Sequence, residues 1–249
     1  MIVYDVKNPA KPKLLKLSDL DGNYHDSRKI GNKLYVVSQL SINRWHVPQI
    51  YKNVDDVALE SEDILPKVID VAYTKDTEKK NLTFSGKTYP YHIGVERASC
   101  DQIYYVMPDK ESINKFNIYP SFTLIRTFDL NDTSKEPETT VAFGNTQTLY
   151  MSLDSLYLTD PIYTDYAFAC PVDARCILPW FESGQHTLIH KFALGTQVKY
   201  KESSLVNGSP LNQYSMSEDD RGYFRILTRN WDRQIHTNLY ILDDDLDLQ

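Results

Sequence analysis

TLIRTFDL (Thr123–Leu130) returns 64 residues later as TLIHKFAL (Thr187–Leu194), with Thr, Leu, Ile, Phe and Leu kept in register. Two further stretches share the pattern: NLYILDDDL (Asn238–Leu246), about 50 residues on, and IVYDV (Ile2–Val6) at the start of the chain. Short, rich in β-branched and aromatic residues and bounded by turn residues, they read as strands. A strand copied four times points to a repeat architecture, in which each unit buries its apolar face only by stacking on a neighbour.

The material after each copy is also similar, so the unit is larger than one strand. KLLKL and then DGNYHDSRKIGNKLYVVSQ follow IVYDV, while QVKYKESSLV and then NQYSMSEDDRGYFRILTR follow TLIHKFAL. Both successions pass through a turn (IGNK, DDRG) into an alternating strand (LYVVS, YFRILT). Between them lie TTVAFGN, TLYMS and SLYLTDP, with Leu153–Ser155 as a tight turn. Units of about 50 to 65 residues with three or four short strands each, opening on the copied strand, fit blades better than a two-sheet sandwich. The expected fold is all-β: a β-propeller or partial propeller of about four blade-like antiparallel sheets, forming one domain over residues 1–249 or a segment of a larger propeller.

Composition agrees with strands. The chain carries 18 Tyr and nine Phe and is 41% hydrophobic, enough for a sizeable core. A net charge of −7 argues against a nucleic-acid partner, which needs clustered Lys and Arg. No run approaches the roughly 20 apolar residues of a membrane helix. Met1 leads directly into IVYDV, so no signal peptide is read at this amino terminus.

One region breaks the period. Residues 41–120 are polar, with VDDVALESED and TKDTEKKNLTFSGKT, and read as a blade carrying long insertions. KVIDVAYT and QIYYVM are strand candidates inside it, and VDDVALESEDIL has the spacing of one short helix. Insertions of this size on a regular scaffold shape binding surfaces.

The succession VYDVKNPAKPKLL, DGNYHDSRKIGNKLYVVS, FNIYPSFTLIRTFDLND, FGNTQTLYMSLDSLYLTD, TLIHKFAL, PLNQYSMSEDDRGYFRILTR and NLYILDDDL resembles the secreted β-propeller domain family of bacteria and archaea, distant relatives of WD40 repeats. The resemblance covers nearly the whole chain in order. It implies a propeller fold and an extracellular or cell-envelope location, and it brings no catalytic residues to carry over.

Candidate sites are few. Asp19, Asp21 and Asn23 alternate as in a calcium loop, but Tyr24 stands where such a loop needs its Gly and Ile30 where it needs its Glu, so a strand-connecting turn competes. No other cofactor is suggested. Cys170 and Cys176 enclose five residues, open to a small disulfide loop or to two free thiols, and Cys100 reads as a buried strand residue. His25, Asp26 and Ser27 are adjacent, and on a strand neighbours point to opposite faces, which excludes a triad. His186 and His190 would lie roughly 13 Å apart on one strand face. Asp26, Asp70, Asp101 and Asp154 are candidate channel-lining acids for a glycan- or peptide-directed hydrolase. Trp45, Trp180 and Trp231 are placed in loops, where aromatic side chains anchor ligands or cover blade edges. The Asn81, Asn131 and Asn207 triplets matter only in a glycosylating host.

Three readings of function follow. The favoured one is a non-catalytic secreted or cell-surface module for protein or polysaccharide interaction. The others are the hydrolase and a structural unit that forms homo-oligomers through open sheet edges.

Overall fold

The computed structural model describes residues 1–18, 20–41, 65–72, 80–84, 87–98, 103–105, 116–117, 121–133, 135, 137–164, 185–232 and 234–249. They contain no α-helix. The strands run in chain order as β1 (Ile2–Asp5), β2 (Lys13–Leu17), β3 (Asn23–Ile30), β4 (Lys33–Ser41), β5 (Lys67–Ala72), β6 (Lys80–Phe84), β7 (Lys87–Arg97), β8 (Ile103–Tyr104) and β9 (Phe116–Asn117). They continue as β10 (Ser121–Asp129), β11 (Glu138–Phe143), β12 (Thr148–Met151), β13 (Ser155–Thr164), β14 (Gln185–Ala193) and β15 (Lys199–Asn207). Beyond these come β16 (Ser209–Pro210), a 3₁₀ turn (Gln213–Ser215), β17 (Met216–Glu218), β18 (Phe224–Asp232) and β19 (Gln234–Leu242).

Two sheets share one plan. In the orders β3-β4-β10-β11 and β12-β13-β14-β15, a hairpin is followed by a third and a fourth antiparallel strand. The strands β17, β18 and β19 repeat the first three positions of that plan, and β16 adds to the far end of β18. The β1-β2 pair matches the third and fourth, because its register shift between Val3 and Tyr4 falls where β14-β15 shifts between Lys191 and Phe192. The copied strand is therefore the third strand of its sheet, not the one that opens it. Burial explains the copying: β10 is buried along nearly its whole length and β14 along most of it, whereas β3 and β15 are largely exposed edges. A strand covered on both faces tolerates little besides apolar residues and satisfied polar ones.

The chain forms two compact units, one of residues 1–104, 121–143 and 196–198, the other of 105–120, 144–195 and 199–249. In the first, Phe122, Leu124, Val141 and Ala98 make a core against Leu40, Ile103 and Phe143. Phe122 meets Phe143 edge-on at 5.6 Å. In the second, Tyr157, Ile189 and Val206 of one sheet pack on Met216, Phe224, Ile226 and Leu242 of the next. The Tyr157 and Phe224 rings stack at 3.8 Å. Fully burying each such side chain is worth about 1.5–3 kcal/mol.

The 41–120 stretch enters between second and third strands. Ser41 pairs with Ser121, and β4 and β10 continue together to Lys33 and Asp129, so the sheet closes over the insertion. Within the insertion, β5, β7 and β6 form their own three-stranded sheet, and KVIDVAYT supplies β5. Among the described residues of QIYYVM, Ile103 and Tyr104 are strand, parallel to β11, and the proposed helix VDDVALESEDIL lies outside the described residues except for Leu65, which is a bend. The turns follow their sequences. Gly31 (φ 58°) and Asn32 form a two-residue hairpin loop, the geometry that demands positive φ. Ser152 accepts the Ser155 backbone N–H at 2.9 Å to close the 152–154 turn.

Candidate functional site

The candidate residues that the structure describes sit on separate strands and turns. Trp45, Trp180, Cys100, Cys170, Cys176, Asp19 and Asp101 lie outside the described residues. Trp231 is not in a loop: β18 runs to Asp232, and the backbone at Trp231 pairs with Ile235 near the hairpin end. Asp21 uses a carboxylate oxygen to accept the Gly22 N–H at 3.0 Å, and Asn23 begins β3. Asp26 accepts the Ser27 N–H at 2.7 Å, Asp70 sits in β5 opposite Gly94, and Asp154 lies exposed in the β12-β13 turn. The Ser27 hydroxyl meets the Tyr24 hydroxyl at 3.0 Å, and His25 falls on a β-bulge. Among the described residues no three His, Cys, Asp or Glu side chains are grouped to hold a metal ion.

What the fold does assemble is a polar corner, built at the same place in successive sheets. Each first strand is preceded by a glycine in a short motif: Asp21-Gly22-Asn23, Phe143-Gly144-Asn145 and Asn207-Gly208-Ser209. A Cβ on Gly22 would stand 2.7 Å from the Gln39 carbonyl oxygen, on Gly208 2.8 Å from that of Arg229, and on Gly144 1.8 Å from Asp160 Oδ2. Only glycine lets the backbone approach the second strand so closely. There the second strand presents Ser38, Asp160 or Thr228. Ser38 Oγ donates to the Asp21 carbonyl at 2.9 Å, and Thr228 Oγ1 donates to that of Asn207 at 2.6 Å.

The third strand adds the next residue of the corner. In β10 it is Arg126, fully buried, whose Nη1 donates to Ser38 Oγ at 2.8 Å and to the Asp21 carbonyl at 3.2 Å. At the matching position of β14 stands His190, with Nε2 3.8 Å from Asp160 Oδ2. Burial pushes the Asp160 carboxyl up to about 7, against hydrogen bonds from the Thr146 hydroxyl and the Asn145 N–H that pull it down. Burial drives His190 down to about 4. Asp160 Oδ1 and His190 Nε2 have no hydrogen-bond partner among the described residues.

A second polar cluster ties the last sheet to its neighbour. Glu218 accepts from the Tyr157 hydroxyl at 2.6 Å and the Ser155 hydroxyl at 3.0 Å, while its backbone N–H donates to the Tyr150 hydroxyl at 3.2 Å. The buried Lys191 ammonium donates to Asp244 Oδ1 at 2.7 Å, stands 4.0 Å from Glu218 Oε1 and lies over the Tyr157 ring. Burial, then the Glu218 carboxylate, holds the Tyr157 hydroxyl far above the usual phenol range. The hydrogen bond from Lys191 keeps Asp244 below the usual carboxylate range.

Sequence reasoning missed both clusters. The glycine is visible in DGN, which reads as a strand-connecting turn or the start of a calcium loop, but its counterparts FGN and NGS share little besides the glycine with it.

No curated protein and no solved structure gives a significant match. The family model described as "Beta propeller domain" matches residues 1–249, and the repeated sheets with their shared glycine corner bear it out: the chain belongs to the β-propeller domain family.

Proposed function

We propose that this β-propeller chain is a non-catalytic, secreted or cell-surface module that binds a protein or polysaccharide through segments inserted between the second and third strands of its sheets. One observation carries the reading: two sheets accept long insertions at this same connection without losing strand pairing. Ser41 resumes at Ser121, and across the second insertion Tyr163 pairs with Gln185. Long loops on a regular scaffold are where binding residues concentrate. Trp45 falls in the first insertion and Trp180 in the second. Three side chains of the corner, by contrast, are spent on the frame: Ser38, Arg126 and Thr228 donate to backbone carbonyls. The resemblance to a secreted family supports the location.

The test is binding of the full chain to insoluble polysaccharides, and by cross-linking to whole cells, to surface proteins. Retention should fall about tenfold or more in Trp45→Ala or Trp180→Ala at unchanged melting temperature. Release of reducing sugar or cleaved peptide, abolished by Asp26→Asn or Asp154→Asn, would overturn the reading in favour of a hydrolase.

A further inference from the structure

We propose that the open edge of β15 takes an extended segment of a partner protein as an added parallel strand. This site is separate from the insertion-borne one proposed above.

The template lies within the chain itself. β11, the fourth strand of its sheet, carries β8 on its outer side in parallel, with Ile103 beside Val141 and Tyr104 beside Ala142. β15 is the fourth strand of the sheet built on the same plan, and among the described residues it pairs with β14 alone. It is an interior strand, from which the chain runs on into β16. Leu124 pairs with Val141 as Leu188 does with Leu205, so the aligned copies set Leu205 at the place of Val141 and Val206 at that of Ala142. Val141 is 1% exposed and packs with Ala98 and Ile103, whereas Leu205 is 48% exposed.

The ladder on the inner side decides which backbone groups face outward. Gly208 N–H donates to the Gln185 carbonyl at 2.6 Å, so the bonded pairs fall at Thr187–Val206 and Ile189–Ser204. Ser203, Leu205 and Asn207 therefore turn their backbone groups to the edge. The Ser203 N–H is held by the Glu202 carboxylate at 3.0 Å, and the Asn207 carbonyl by the Thr228 hydroxyl at 2.6 Å. What remains is an alternating row: the Ser203 carbonyl, the Leu205 N–H, the Leu205 carbonyl and the Asn207 N–H. A parallel strand meets this row with two residues spaced by two, each donating to one carbonyl and accepting from the next N–H. The residue between them lies beside Leu205, as Ile103 lies beside Val141, and an apolar side chain suits it. Nearer its start β15 is guarded by Lys199, Lys201, Glu202 and a register shift, devices that discourage pairing, which confines the site to residues 203–207.

The test is fluorescence anisotropy of a labelled peptide DQIYYVM, the sequence of residues 101–107, titrated with the full chain. Saturable binding is expected. It should weaken about tenfold or more in Leu205→Pro, which removes one outward N–H and leaves the β14 ladder alone, and in Leu205→Lys, which adds a guarding charge. Thermal melting checks that each variant folds, and the lysine variant carries the result should the proline one melt early. Hydrogen exchange at saturation should slow the Leu205 and Asn207 amides. Trp45→Ala and Trp180→Ala should bind the peptide like wild type, which separates this site from the insertions. No binding up to about 1 mM, folded variants that bind like wild type, or protection at residues 138–143 instead overturns the proposal. So do Leu205 and Asn207 amides already protected in the free chain, the mark of an edge filled by the chain's own segments or by a second copy.

Discussion

Replacing either member of the buried Asp160–His190 pair should tilt the pH dependence of stability, in opposite directions. Burial raises Asp160 to about 7 and lowers His190 to about 4. Between roughly pH 4 and 6.5 the folded pair holds one proton between its two groups, on whichever partner it sits. The unfolded chain also holds one over this range, with an ionised carboxyl and a charged imidazole. Proton uptake balances, and the pair contributes little slope to the wild type. In Asp160→Asn only the histidine remains. Its folded value lies below the unfolded one, so the unfolded state binds the extra proton and stability is lost as pH falls from about 6.5 towards 4. In His190→Leu only the acid remains. Its folded value is raised, so the folded state keeps the proton and stability is lost as pH rises from about 4 towards 7. One proton corresponds to about 1.4 kcal/mol per pH unit, which gives changes on the order of 3 kcal/mol across either window. Urea unfolding at pH 4.5, 5.5 and 6.5, taken as variant minus wild type, cancels all other titrating groups. Flat differences, or slopes of the same sign, would refute the reasoning.

The glycine corner makes a second series. Gly22→Ala and Gly208→Ala drive a Cβ against backbone oxygens at positive φ and should each cost more than about 2 kcal/mol in urea unfolding. Gly31→Ala meets open space and should cost only the left-handed conformation, about 1 kcal/mol. In the second cluster, Lys191→Met should cost about 3 kcal/mol, since it strips the cation from a buried network with Glu218. Asp244→Asn should cost under about 1 kcal/mol, because that carboxylate is 78% exposed.

The repeat was legible because β10 and β14 are buried on both faces, and burial of that kind dictates nearly the same residues twice. Its phase was not. Which strand comes third depends on pairings such as Ser41 with Ser121, set by register across an insertion and invisible to local patterning. The corner was hidden for a chemical reason: Ser38, Asp160 and Thr228 occupy one place, as do Arg126 and His190, so the position is kept while the functional group changes. Trp231 was misplaced because RNWDR looks like a turn, whereas the β18-β19 ladder continues to Asp232 and Gln234. The Asp160–His190 pair could not be read at all, since 30 residues of chain separate its members.

Hydrogen–deuterium exchange tests the central claim, that the copied strands are the covered third strands of their sheets. Amides of residues 121–129 and 185–193 should exchange slowest, near the global unfolding limit, with those of the edge strands 23–30 and 199–207 orders of magnitude faster. Copied strands that exchange as fast as the edges would contradict it.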